Sequence, residues 1–141
     1  MRIRNYNNST DKDQVIKLWN TVFPITSPHH DPLTSINRKL AVNDNLFFVA
    51  ASDGKKVLGT IMAGYDGHRG WIYSLAVDPD YRRKSIGSLL LKHAEKELVK
   101  LACPKINLHI LPSNKEVVSF YKKNGYNIEE RIHMGKILNS K

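Results

Sequence analysis

Leu75-Ala76-Val77-Asp78-Pro79-Asp80-Tyr81-Arg82-Arg83-Lys84-Ser85-Ile86-Gly87-Ser88-Leu89-Leu90 is the stretch whose reading decides the fold. A strand ends at Asp78-Pro79-Asp80, a short basic loop follows, and a long helix begins. The helix is signalled by Ile86, Leu89, Leu90, Ala94, Leu98 and Leu101, which recur along one face. Backbone N–H groups in a first helical turn have no intrahelical partner, and the helix dipole favours an anion beside them. Three consecutive cations, Arg82, Arg83 and Lys84, stand at that end. Ser85 either caps the helix or turns its hydroxyl to a phosphate oxygen, and Gly87 lets a bulky ligand come close to the backbone. The segment therefore reads as a pyrophosphate cradle. The competing reading is an ordinary capped helix with solvated charges.

Working outward, Lys105 to Leu111 reads as a strand closed by Pro112. The strand Trp71–Val77 and this one are joined through a helix, so they are expected to be parallel neighbours. Asn114 to about Lys123 reads as a helix stopped by Asn124-Gly125, and Tyr126–Glu130 and His133–Leu138 as two last strands. Upstream, Leu46–Ala51, Val57–Tyr65 and Trp71–Val77 form a meander through the turns at Asp53-Gly54 and Asp66–Gly70. Before it come an opening strand over residues 1–6, a helix capped by Thr10 and ended by Pro24, a proline-rich loop, and a short helix from Ser35 through Leu40. The order β-α-α-β-β-β-α-β-α-β-β predicts an α+β fold. Its centre is a mixed, mostly antiparallel sheet of six to seven strands with helices on both faces.

The chain has 141 residues, 41% hydrophobic and 25% charged, which suits a single domain, 1–141, with one core. Its longest apolar runs, such as Leu46–Ala51, are too short to cross a bilayer, and no apolar stretch follows Met1–Tyr6 as a signal peptide requires. The single cysteine, Cys103, excludes an internal disulfide and fits a cytoplasmic location; it is expected to be a small buried apolar residue. The net charge of +9 fits a polyanionic ligand, or simply solubility. A nucleic-acid-binding module is the contrasting class. It is disfavoured, because neither an exposed aromatic ladder nor a densely basic helix is present.

The string Val77-x-Pro79-x-Tyr81-Arg82-x-Lys84-x-Ile86-Gly87-x-x-Leu90-Leu91 resembles the coenzyme A-binding motif of the GNAT N-acetyltransferase superfamily. Ser85 stands where that pattern has its first glycine, and Arg83 where glycine is also common. A right-handed serine at this position would cost little, and that is the expectation here. Asn114, followed by Phe120-Tyr121-Lys122-Lys123-Asn124-Gly125-Tyr126, resembles the family's second signature, in the order the family requires. Gly64–Gly70 further resembles small bacterial acetyltransferases of the YpeA type.

The resemblance implies an enzyme that moves an acetyl group from acetyl-coenzyme A to a primary amine by direct attack in a ternary complex, without a metal. A GNAT-like protein that binds coenzyme A without catalysis is the alternative that Ser85 motivates. Leu75, Ala76 and Val77 would pair with the pantetheine arm, and Arg82, Arg83, Lys84, Ser85, Ile86, Gly87 and Ser88 would hold the pyrophosphate. Asn114 would meet the pantetheine, and Tyr121 would protonate the departing thiolate. A phenol and an alkyl thiol have similar pKa values, which suits that transfer. The acceptor amine must lose a proton before it attacks. His29, His30 and Asp31, in the loop where the family builds its acceptor pocket, are candidates to bind or deprotonate it, and Tyr73 would line the same pocket. No metal, nucleic-acid or membrane partner is implied. Dimerisation is common in the family, though no residue here specifies it.

Overall fold

The computed structural model describes residues 1–23, 31–53 and 55–138. They form two compact units, Met1–Leu108 and His109–Lys141.

The first unit holds one sheet of five strands in sequence order: β1 (Arg2–Asn5), β2 (Phe47–Ala51), β3 (Val57–Tyr65), β4 (Gly70–Val77) and β5 (Ile106–Asn107). The first three pairings are antiparallel and the last is parallel, as the crossover requires. Alternation assigns the two faces. Phe47, Val49, Val57, Met62 and Ala76 pack with Val15, Leu18 and Trp19 of α1 (Asn8–Val22) and Ile36 of α2 (Pro32–Val42). Phe48 points the other way, its ring edge-on to His93 of α3 (Ile86–Lys100). Helices thus cover both faces of the sheet.

α3 lies close to the sheet because Gly59 has no side chain. A Cβ there would stand 2.8 Å from the Ala76 carbonyl oxygen, 3.0 Å from Leu90 Cδ1 and 3.3 Å from Ile86 Cγ2. The same glycine therefore sets how near the start of α3 comes to the end of β4. Gly70 leaves room in the same way for Cys103, whose Sγ would be 2.7 Å from a Cβ. Cys103 is only half-buried, so its role is to fill this notch rather than to sit in the core.

Two helix starts differ from the sequence reading. α1 begins at Asn8 with Asn7 as its cap, the Asn7 side chain accepting from the Ser9 N–H at 2.9 Å. Thr10 instead donates its hydroxyl to Asp11 at 3.2 Å. α2 begins at Pro32, capped by Asp31, because proline at the first helical position loses no bond and presets the backbone.

The second unit contains α4 (Lys115–Lys123), capped by Asn114, whose side chain accepts from Val117 N–H at 3.4 Å. Tyr121 is its one buried residue, with the rings of Phe120 and Tyr126 edge-on to it at 5.1 and 5.4 Å. The six to seven strands expected are five among the described residues, since neither Tyr126–Glu130 nor His133–Leu138 forms a strand. Their apolar residues Ile128, Met134, Ile137 and Leu138, and Ile132 between the two segments, are all exposed. Alternation makes a segment able to be a strand, but a strand exists only when a neighbour takes its backbone hydrogen bonds. β5 is likewise shorter than Lys105–Leu111, for its ladder covers only the pairs Gly70–Ile106 and Trp71–Asn107.

Candidate functional site

The end of β4 is built to present backbone. From Ile72 to Val77 the strand continues with no ladder partner on β5. Midway it is bulged: Thr60 stands opposite Ala76 and Met62 opposite Tyr73, so Ser74 and Leu75 together oppose Ile61. Ser74 adopts φ +52°, the left-handed region. Its carbonyl accepts from the Thr60 hydroxyl at 2.9 Å, and that hydroxyl accepts from the Trp19 indole N–H at 2.8 Å. Leu75 and Val77 are half-exposed, while Ala76 is buried against the α1 and α2 face.

After Val77 the chain makes one tight turn, Pro79–Tyr81, capped by Asp78, which accepts from the Asp80 N–H at 2.9 Å. Two ammonium groups stand over the Tyr81 ring, Lys56 at 4.8 Å and Lys84 at 5.3 Å from its centre. Arg82, Arg83, Lys84 and Ser85 then run exposed into α3.

Two of these four residues have positive φ, Arg83 at 66° and Ser85 at 62°. This corrects the expectation of a right-handed serine. The Ser85 side chain caps nothing, so the first N–H groups of α3 are left to whatever approaches from outside. A left-handed residue beside right-handed ones turns successive N–H groups toward one side, the concavity in which backbone nests hold anions. Strain, open amides and three cations thus coincide at one turn. Side chains at such φ values cost about 1–2 kcal/mol, whereas glycine gives up about 0.5–1 kcal/mol of chain entropy. Ser85→Gly is therefore expected to stabilise the protein by up to about 1 kcal/mol in thermal melts and to leave anion binding no weaker. A clear loss of stability would mean that the serine side chain holds the turn.

The remaining sequence candidates are placed as follows. Asp31 is exposed, and its carboxylate accepts from the Thr34 N–H at 3.0 Å and the Thr34 hydroxyl at 2.8 Å. These bonds hold its pKa below the usual carboxylate range, which makes it a cap and a weak base. His29 and His30 lie outside the described residues. Tyr73 is half-exposed and opposite Met62, hence on the α1 and α2 face; burial and the charge of Asp66 push its hydroxyl up. His68 is a turn residue, its N–H donated to Asp66 at 2.7 Å. In the second unit, Asn114 serves as the α4 cap. Burial pushes the Tyr121 hydroxyl well above the ordinary phenol range, so it stays protonated and able to donate. The near-equality with a thiol expected from the sequence is shifted accordingly, the tyrosine being the weaker acid. Among the described residues no three His, Cys, Asp or Glu side chains gather as a metal site. No helix there is long and apolar enough to cross a membrane.

The sequence reading missed Trp19, Thr60 and Ser74. Trp19 and Thr60 look like core residues in a periodic pattern, and a bulge leaves no mark in alternation when serine rather than glycine occupies it. A threonine among the apolar residues of a buried strand was the one available signal, since a buried hydroxyl needs a partner.

Residues 12–126 match the Acetyltransferase (GNAT) family. An acetyltransferase of Sodalis glossinidius is 43% identical over 122 residues, covering 86% of this chain and 84% of that one. An acetyltransferase of Yersinia enterocolitica is 38% identical over 138 residues, covering 98% and 96%. Among solved structures, the PaiA N-acetyltransferase of Thermoplasma acidophilum in complex with coenzyme A superimposes with a TM-score of 0.78 at 24% identity, over 93% of this chain and 92% of that one. The motif, the fold and the match over most of the length agree: the chain belongs to the GNAT acetyltransferase family.

Proposed function

We propose that the chain, acting over 1–141 as one cytoplasmic enzyme, transfers an acetyl group from acetyl-coenzyme A to a primary amine by direct attack in a ternary complex. The observation that carries this reading is the left-handed turn at Arg83 and Ser85, which leaves the first amides of α3 uncapped beside Arg82, Arg83 and Lys84. A linked pair of phosphates matches it in charge and in hydrogen-bonding demand. The donor supplies an activated acetyl thioester. The β4 edge at Leu75–Val77 offers main-chain groups for an amide-bearing arm, as an added strand would take them. In the second unit, Asn114 and Tyr121 occupy the positions of the family's second motif. Tyr121, kept protonated by its burial, supplies the proton for the departing thiolate. In this reading Tyr73, half-exposed on β4, lines the acceptor pocket. An ordinary alkylammonium is almost wholly protonated at neutral pH, so the acceptor reacts as the small neutral fraction or in a site that desolvates it.

Calorimetric titration with acetyl-coenzyme A tests the cradle. Replacing Arg82 and Arg83 together by alanine is expected to weaken binding about tenfold at low salt, with the gap narrowing as ionic strength rises. Equal affinity for the variant and the parent would misplace the cradle. A panel of amines, scored for thiol release with acetyl-coenzyme A, identifies the acceptor class.

A further inference from the structure

The carbonyl of Ser74 is held by a relay with only one possible polarity. An indole N–H can only donate and a backbone carbonyl can only accept, so the Thr60 hydroxyl must accept from Trp19 and donate to Ser74. Trp19 is 3% exposed and Thr60 fully buried, so water does not compete for these groups. The hydroxyl has its rotor fixed by two partners that belong to different elements, α1 and β4. The residue it holds is the one in β4 with positive φ, where a serine stands in a conformation that glycine usually takes. Immediately after it comes the backbone that the proposed function gives to the donor arm.

We propose that Trp19 and Thr60 are positioning residues, whose hydrogen-bond relay to the Ser74 carbonyl holds the β4 bulge and thereby sets the Leu75–Val77 edge against which the acyl donor is aligned. This inference rests on the coenzyme A reading for its link to the donor, but the relay itself is a property of the protein alone. It acts on alignment more than on affinity. The phosphate-binding turn lies several residues further on and makes no use of the relay, so losing the relay spares most of the binding and misplaces the reacting end.

Thr60→Val keeps the shape of the side chain and removes both hydrogen bonds. Thr60→Ser keeps both bonds and removes a methyl group. Amide hydrogen exchange in the ligand-free protein is expected to quicken by about tenfold or more at Leu75–Val77 in Thr60→Val, with β2 unchanged, and to return most of the way in Thr60→Ser. Trp19→Phe should give an intermediate exchange rate, and it serves in place of Thr60→Val if that variant does not fold. With an accepted amine, Thr60→Val is expected to lower kcat about tenfold while the KM for acetyl-coenzyme A changes less than about threefold, and Thr60→Ser to restore kcat. Unchanged exchange in Thr60→Val, or equal acceleration in Thr60→Ser, overturns the relay, since packing alone would then explain the site. Acetyl-coenzyme A that protects no amide between Leu75 and Ser88 in the parent protein overturns the link to the donor, while the ligand-free exchange still decides the relay.

Discussion

Tyr121→Phe is expected to lower kcat by about 10²-fold and to leave the dissociation constant for acetyl-coenzyme A within about twofold. The substitution deletes one oxygen and keeps the ring, so the edge-on contacts with Phe120 and Tyr126 survive and the fold is not at issue. General acids contribute about 10²–10⁴ in rate, and the lower figure suits this residue. Burial holds its hydroxyl above the ordinary phenol range, so it is a weaker acid than the thiol it serves. The proton then moves only as negative charge develops on sulfur. Because the folded pKa lies above the usual value of about 10, Tyr121 stays protonated across the working range, and a basic limb in kcat below that value belongs to another group. The check is steady-state kinetics on parent and variant with one accepted amine, at two pH values. A variant within about threefold of the parent in kcat would remove Tyr121 as the acid.

Much of this site was legible from sequence because its parts are local. A strand, a stop, a basic loop and an amphipathic helix lie within Leu75–Leu90, and their periods change where the structure changes. The parallel pairing of β4 and β5 followed from the length of the connection. What was not legible depends on backbone angles or on distant partners. Ser85 reads as a cap because serine caps many helices, yet here its φ of 62° turns the side chain out of use. Tyr126–Glu130 and His133–Leu138 read as two strands, but a local pattern says nothing about whether a neighbouring edge exists. Asp31 reads as a candidate base in a loop with two histidines, yet its Oδ2 accepts from both the N–H and the hydroxyl of Thr34, which makes it the α2 cap. Asp11 reads as one more acid in a first helical turn, yet it is the most deeply buried charge among the described residues.

That charge sets up the largest stability effect. Asp11 is fully buried and accepts from Arg4 through both nitrogens, at 2.7 and 2.9 Å, from the Asn7 N–H at 2.8 Å and from the Thr10 hydroxyl at 3.2 Å. It fastens β1 to the start of α1, the helix that carries Trp19. Asp11→Ala leaves a guanidinium, an amide and a hydroxyl without their acceptor, and removing one partner of a buried pair costs about 3–5 kcal/mol. Arg4 retains some exposure and can recover part of its hydration, so a loss of about 3 kcal/mol is expected in urea melts at neutral pH. Most domains have only about 5–15 kcal/mol in total. Replacing both partners by apolar residues, Arg4→Met with Asp11→Leu, should cost less than Asp11→Ala alone, because no charge is then stranded. The pH dependence fixes the sign. Burial alone would raise the carboxyl, but the Arg4 bonds, the Asn7 amide, the Arg4 charge and the Thr10 hydroxyl outweigh it and hold the pKa below its usual value. A depressed carboxylate gives stability that is present above the unfolded pKa of about 3.9 and is lost as pH falls through the folded one. The stability gap between the parent and Asp11→Asn should therefore be full at pH 7 and close progressively on acidification below about pH 4. A gap of less than about 1 kcal/mol at pH 7, or one that ignores pH, would show that the Asp11 cluster is not what fastens α1 to the sheet.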